Sequence, residues 1–184
     1  MKKNQPKIKG ELDLQADKKV VSRSKPCTRI LEISVTALGK KANKKRSLLN
    51  ISIVLDRSGS MAGEKLHFVK QAAAHVIDLL DEEDRASVIS YDDRIETIVP
   101  PGNLTDIYKK QAKTSIQTIE SGSTTYLSGG WLRGCELVAE GAGSSTINRV
   151  LLLTDGLANV GVTNPLELVT QSRELFSRGV STSR

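Results

Sequence analysis

The 184-residue chain is poor in cysteine and in aromatic residues. It contains two cysteines, one tryptophan, three tyrosines and two phenylalanines. Cys27 and Cys135 are too few for a disulfide framework and lack the spacing of a metal site, so we expect two reduced thiols. Leucine, isoleucine and valine therefore have to fill the core. A chain near this length buries roughly 68–70% of its unfolded surface, which makes such a core feasible without disulfides.

Long apolar runs are lacking as well. No stretch reaches the roughly 18 residues that a membrane helix needs, so no transmembrane segment is expected. The first residues, Met1–Pro6, are charged and polar, and no apolar stretch follows them. A secretion signal requires such a stretch, and we therefore expect a cytoplasmic protein.

The net charge of +6 is unevenly distributed along the chain. Residues 1–49 hold 14 Lys/Arg and 4 Asp/Glu, whereas residues 50–184 hold 13 Lys/Arg and 17 Asp/Glu. The positive charge is concentrated in Lys40-Lys41 and Lys44-Lys45-Arg46. Basic clusters can bind nucleic acid, but no aromatic side chains that could stack on bases lie between these lysines. We therefore expect a solvated basic loop and no nucleic-acid partner.

The N-terminal quarter of the chain differs from the rest in pattern as well as in charge. Apolar and β-branched residues alternate with polar ones over Ile30–Thr36, which predicts a half-buried strand. The polar and basic stretch 39–47 follows it. We expect residues 1–47 to form a basic extension with at least one strand, and residues 48–184 to form a separate domain.

From residue 48 onwards, strand patterns alternate with helix patterns. The strands are predicted at 48–55, 85–91, 95–99 and 148–154, and the helices at 66–80, 105–119, 127–139 and 166–177. Pro100-Pro101-Gly102 is expected to end the third of these strands. The alternation predicts an α/β fold, a doubly wound and mostly parallel sheet with helices on both faces. Val180–Ser183 looks like the start of a further strand, so we expect the fold to be truncated at its C-terminal end.

Oxygen-bearing side chains follow the two most apolar predicted strands. Asp56, Ser58 and Ser60 alternate in the loop after the first strand and can converge on one point. Asp155 lies at the carboxyl end of the other apolar strand, and residues 122–130 supply hydroxyls from a loop that opens a helix. Such sheets bind ligands at the carboxyl ends of their strands. Hard cations take oxygen ligands, so we expect Mg²⁺, or Ca²⁺ or Mn²⁺, at this edge, with the serine hydroxyls as direct ligands and Asp56 acting through a water or orienting the hydroxyls.

The motif Asp56-x-Ser58-x-Ser60 with a downstream Thr and Asp resembles the metal-ion-dependent adhesion site (MIDAS) of von Willebrand factor A (vWA) domains. The similarity covers about residues 48–183 and is closest in character to bacterial vWA proteins and to the heavy chains of inter-alpha-trypsin inhibitor. The resemblance implies that both serines and one threonine bind the ion directly. It also implies that Asp56 and Asp155 act from behind these direct ligands.

The threonine ligand is ambiguous in this sequence. The short form of the family motif has one residue fewer between its glycine and its leucine than separates Gly122 from Leu127 here. Counting back from the helix selects Thr125, and counting forward from the loop selects Thr124. We favour Thr125, because the phase of the helix fixes the direction of its side chain.

The resemblance implies a protein-binding module and not an enzyme. A cation held by neutral hydroxyls stays electrophilic and seeks an anionic oxygen, which in the family is a Glu or Asp of a protein partner. The alternative function is a regulatory subunit that works with an ATPase in a chelatase-like complex. Two other interpretations, a phosphatase and a phosphate-binding loop, fail on their motifs. A phosphatase of the haloacid dehalogenase class needs Asp where Ser58 stands, and a phosphate-binding loop needs Lys where Glu64 stands.

Overall fold

The computed structural model describes residues 10–17, 28, 30–37, 46–143, 145–156 and 158–184. The chain divides into two compact units, residues 1–46 and residues 47–184. Cys27 and four lysines of the predicted basic loop, 40, 41, 44 and 45, lie outside the described residues. Cys135 is a buried free thiol.

The first unit contains an antiparallel pair of strands, β1 (Gly10–Ala16) and β2 (Leu31–Ala37). β2 confirms the predicted strand but not its predicted half-burial, since Ile33 and Val35 are exposed. β1 was missed, because only two large apolar residues alternate in its sequence. The Cα partners Leu12–Val35 and Leu14–Ile33 place apolar residues on one face of the pair. The partners between them are polar, so the pair is amphipathic.

The second unit is a five-stranded sheet with helices packed on both faces. Its strands are β3 (Leu48–Asp56), β4 (Arg85–Tyr91), β5 (Ile95–Asn103), β6 (Thr146–Leu153) and β7 (Val180–Ser183), in the spatial order β5-β4-β3-β6-β7. Its helices are α1 (Glu64–Leu79), α2 (Asp106–Gln117), α3 (Leu127–Glu140) and α4 (Pro165–Ser177). β3 runs parallel to β4 and β6, β6 runs parallel to β7, and β5 is antiparallel to β4. The doubly wound, mostly parallel α/β fold is confirmed.

The central strand β3 divides the apolar residues into two cores. Ile53 and Leu55 pack on one face with residues of α1 and α2, and Val54 packs on the other face with residues of α3. Alternate side chains of a strand point to opposite faces, so a strand covered on both sides needs a continuous apolar run. Trp131 of α3 is buried in the second core, and its Nε1 donates to Thr182 Oγ1 at 3.0 Å.

The expectation that Pro100 and Pro101 end a strand was wrong. β5 continues through both prolines to Asn103. Between the Cα partners Ala86–Gly102 and Val88–Val99, β4 contributes one residue and β5 contributes these two prolines, so the ladder is irregular here. β5 is the outer strand of the sheet in the described residues. A bulge in an edge strand tolerates proline, because the missing amide hydrogens are not required by a central ladder.

Two lysines tie helices α1 and α2 together at opposite ends. Lys70 of α1 donates to the carbonyl oxygens of Gln117 and Ile119 at 2.6 and 2.9 Å. Lys109 of α2 donates to the carbonyl oxygen of Leu80, just after α1. Each lysine therefore satisfies carbonyl groups that the end of the other helix leaves unpaired. Within the described residues no helix has both the length and the apolar character needed to cross a membrane.

Candidate metal centre

Asp56 is the last residue of β3 and is fully buried. Its Oδ1 accepts the backbone N–H of Ser58 at 2.9 Å. Its Oδ2 accepts the hydroxyls of Thr154 at 2.6 Å and Tyr91 at 3.2 Å. Burying a carboxylate is costly unless hydrogen bonds replace its water, and three donors from three loops or strand ends meet that need here.

Tyr91 lies directly beside Asp56, since the two residues are Cα partners at the ends of β3 and β4. Burial and the neighbouring negative charges of Asp56 and Asp155 raise the pKa of Tyr91 well above its usual range. The phenol therefore stays protonated and acts as a hydrogen-bond donor to Asp56. It fixes one oxygen of the carboxylate and contributes no charge of its own.

The two serines of the motif come together in the loop that follows Asp56. Ser58 Oγ and Ser60 Oγ are 3.3 Å apart. Ser58 is buried and Ser60 is exposed, with the short 3-10 turn Gly59–Met61 between the loop and α1. The pair therefore offers two neighbouring hydroxyl oxygens, one inner and one open to solvent.

The threonine loop is bound to the serine loop through the backbone. Gly59 N donates to Ser123 O at 2.8 Å, and Gly122 N donates to Arg57 O at 2.7 Å. Two backbone bonds in opposite senses hold the two loops side by side. The candidate threonines 124 and 125 follow directly in the chain, so their loop belongs to the same edge of the sheet as the serines.

The two candidate threonines differ in their environment. Thr125 is buried, its N–H donates to Asn159 Oδ1 at 2.7 Å, and its carbonyl accepts the N–H groups of Asn159 and Val160. Thr124 is exposed. Thr125 thus joins this loop to the segment after β6, whereas Thr124 faces solvent. Ligation by either residue stays a prediction.

Asp155 lies at the same edge of the sheet as Asp56. β3 and β6 are parallel neighbours with Leu55 opposite Leu153, so both chains leave the sheet at the same end. Asp155 Oδ2 is 3.1 Å from Lys65 Nζ in the first turn of α1. The structure therefore brings the predicted carboxylates and serines together at one edge, while their role as metal ligands stays a prediction.

An ion pair anchors the serine loop from the other side. Arg57 Nη2 is 3.2 Å from Asp92 Oδ1 and 2.9 Å from Glu96 Oε1, and its side chain is only 14% exposed. Burial of Asp92 opposes its ionisation, but the Arg94 N–H and the Arg57 guanidinium outweigh this effect and lower the pKa of Asp92. Arg57, which lies between Asp56 and Ser58, thereby joins the serine loop to the turn after β4 and to β5.

The comparison with known families agrees with this geometry. The family model described as von Willebrand factor type A domain matches residues 50–182. The chain belongs to this family. The match starts inside β3 and ends inside β7, so it includes all three loops of the site.

Two relatives illustrate the breadth of the family. The chain is 32% identical over 143 residues to the uncharacterized protein sll0103 of Synechocystis, a match that covers 78% of this chain and 33% of that protein. It is 32% identical over 127 residues to human inter-alpha-trypsin inhibitor heavy chain H3, covering 63% of this chain and 14% of that protein. The chain therefore spans a third or less of the length of these relatives.

A solved structure shares the fold at lower sequence identity. It is proximal thread matrix protein 1 of the mussel byssus with a zinc-occupied MIDAS motif, at a TM-score of 0.54 and 20% identity. The match covers 77% of this chain and 38% of that chain. The two proteins therefore share the fold.

Three residues of the vWA site were not predicted from the sequence. They are Tyr91 and Thr154, which donate to Asp56, and Lys65, which pairs with Asp155. A usable signal existed for Tyr91, because it ends the strand predicted to follow β3. Thr154 directly precedes the predicted residue Asp155, so the second donor was the neighbour of a candidate site residue. No signal in the sequence joins Lys65 to a residue 90 positions away.

Proposed function

We propose that this vWA domain binds a divalent cation with Ser58, Ser60, one threonine, Asp56 and Asp155, and that the ion recognises an acidic side chain of a protein partner. The single observation that carries the proposal is the pair of serine hydroxyls 3.3 Å apart in the loop whose Ser58 N–H binds the buried carboxylate of Asp56. The direct donors are neutral, and the negative charge lies behind them.

The chemistry of these donors fits a hard cation. Mg²⁺ prefers oxygen ligands in octahedral geometry and usually keeps several waters, so a site with few protein ligands suits it. Ca²⁺ and Mn²⁺ accept the same oxygens. Among the described residues no group of three or more His, Cys, Asp or Glu side chains could hold a metal ion. The candidate centre has to rely on hydroxyl oxygens, as the Asp-x-Ser-x-Ser motif does.

Access to the site supports a role in recognition. Ser60 and Thr124 are exposed, whereas Asp56 and Ser58 are buried. A bound ion would be supported from the protein side and reachable from solvent. An ion held mainly by neutral hydroxyls keeps much of its charge, and a carboxylate of a partner is the natural anionic ligand for it. Adhesion needs such a bond together with contacts around it.

Binding of the metal ion is measured first. Titration calorimetry with Mg²⁺ should show one site in the full chain, and Ser60→Ala should weaken binding by at least about tenfold, since loss of even an indirect support costs 10–100-fold. Ser60 is exposed, so the fold should survive. Ser34→Ala, which removes an exposed hydroxyl from the first unit, is the matched control. Equal affinity in Ser60→Ala and Ser34→Ala would refute the metal site.

Partner recognition is tested with the same variants. Immobilised protein should retain its partner in Mg²⁺ and release it in chelator, and Ser60→Ala should not retain it. A partner that stays bound in chelator would contradict metal-dependent recognition. The non-enzymatic role, the cytoplasmic location and the alternative of an ATPase-associated subunit stay predictions, and within the described residues no contact favours the alternative.

A further inference from the structure

Lys65 brings a positive charge to the rim of the candidate metal centre. It is the second residue of α1, and its Nζ is 3.1 Å from Asp155 Oδ2. The Lys65 side chain is 58% exposed and that of Asp155 is 16% exposed. The lysine end of the pair is therefore open to solvent, whereas the aspartate end is largely buried.

Helix stability does not account for a lysine at this position. The first turn of a helix carries a partial positive charge, so a cation there is unfavourable and an acid is favoured. The ion pair with Asp155 does not compensate strongly, because exposed pairs contribute little to folding. Lys65 thus contributes little to the stability of α1. Its main effect is to place a positive charge next to Asp155.

The negative charges of the two carboxylates of the site are stabilised by different kinds of donor. Asp56 is buried and accepts three neutral donors, the N–H of Ser58 and the hydroxyls of Tyr91 and Thr154. Asp155 is closer to solvent and accepts a charged donor, the ammonium of Lys65. A metal ion that approaches the centre therefore finds the Lys65 ammonium already paired with Asp155.

We propose that Lys65 is a resident counter-ion that competes with the divalent cation for Asp155 and thereby lowers the affinity of the site for metal. This inference rests on the proposed metal site. A second consequence follows from the charges: with two carboxylates, one divalent ion and Lys65, the loaded site carries one net positive charge. Without Lys65 it is neutral and attracts an acidic partner less.

The test is a titration of the full chain with Mn²⁺ in a calorimeter. Lys65→Met removes the charge and keeps the length of the side chain, and it should bind Mn²⁺ about fivefold more tightly than the unmodified protein, the upper range for an exposed ion pair. Lys65→Arg keeps the charge and should stay at the unmodified affinity. Thermal melts in chelator check that both variants fold.

Lys110→Met is the matched control for loss of one positive charge. Lys110 is exposed on α2, and its neighbour Lys109 contacts the carbonyl after the C-terminal end of α1, so it lies away from the first turn of that helix. The affinity of the Lys110→Met variant for Mn²⁺ should equal that of the unmodified protein. Salt should also reduce the difference between Lys65→Met and the unmodified protein, because near 1 M ionic strength the screening length falls to about 3 Å.

The outcomes separate this inference from the proposed function. If Ser60→Ala loses Mn²⁺ binding while Lys65→Met binds with unchanged or weaker affinity, the metal site stands and the counter-ion role of Lys65 is wrong. If the unmodified protein does not bind Mn²⁺, or Ser60→Ala binds it equally well, the metal site is wrong and the role of Lys65 is refuted with it.

Discussion

Thr154 donates its hydroxyl to the buried carboxylate of Asp56 at 2.6 Å, across 98 positions of the sequence. The same hydroxyl oxygen accepts the N–H of Gly156 at 2.9 Å. A single side chain thus joins the end of β3 to the loop that carries Asp155. The loop that carries Asp155 therefore helps to fix the orientation of the Asp56 carboxylate.

We expect Thr154→Val to destabilise the protein by about 1.5–3 kcal/mol, the range for a hydrogen bond to a charged group. Valine matches threonine in shape but cannot donate, so Asp56 would keep its burial and lose a donor. Thr154→Ser retains the hydroxyl and should lose less than half as much. Urea denaturation of both variants measures the difference. Equal stability of the valine and serine variants would show that the hydrogen bond contributes nothing.

Lys70→Met should lower the free energy of unfolding by about 1 kcal/mol, a typical net value for hydrogen bonds of this kind. The variant leaves the carbonyls of Gln117 and Ile119 without the ammonium that now binds them. Lys110→Met removes an exposed lysine from α2 and should change stability by less than about 0.5 kcal/mol. Urea midpoints that coincide for the two variants would contradict the capping role.

The ion pair of Arg57 and Asp92 predicts a specific pH dependence. The pKa of Asp92 in the folded protein is below its ordinary value of 3.8, so its ionised form stabilises the fold. That contribution is fully present above the ordinary pKa and is lost as the pH falls through the lower, folded pKa. Asp92→Asn should therefore melt at a lower temperature than the unmodified protein at pH 6–7, and the gap should narrow below about pH 4.

The control for Asp92→Asn is Glu140→Gln, which removes an exposed carboxylate at the end of α3. Thermal melts of the control should run parallel to those of the unmodified protein over the same pH range. If the difference in melting temperature between Asp92→Asn and the unmodified protein stays constant from pH 7 to pH 3, the substitution acts through packing and not through charge.

The sequence was most informative where a single physical requirement dictates the pattern. β3 has to be apolar on both faces, and the near-continuous apolar run from Leu48 to Leu55 correctly predicted this strand. The position of Asp56 and Asp155 at one edge followed from the parallel order of strands that such runs predict. The same reasoning failed at Pro100 and Pro101, because chain breakers act differently in an edge strand, and the edge position of β5 is a property of the whole sheet.

The contacts around the site were the least predictable part. Tyr91 looks like any apolar strand residue until the parallel register places it beside Asp56. Lys65 looks like a solvated helix residue until the loop after β6 brings Asp155 to it. Both relationships depend on tertiary geometry between distant segments. A choice between Thr124 and Thr125 likewise depends on a loop conformation that spacing alone does not determine.

The prolines of β5 also restrict how copies of this domain can associate. An outer strand with free amide hydrogens is a template for another strand, and repeated addition leads to polymers. Pro100 and Pro101 have no amide hydrogen, and they lie where the register between β4 and β5 is irregular. A second chain that approached this side would find a broken row of donors. The same two prolines that the bulge tolerates thus oppose the addition of another strand at this edge of the sheet.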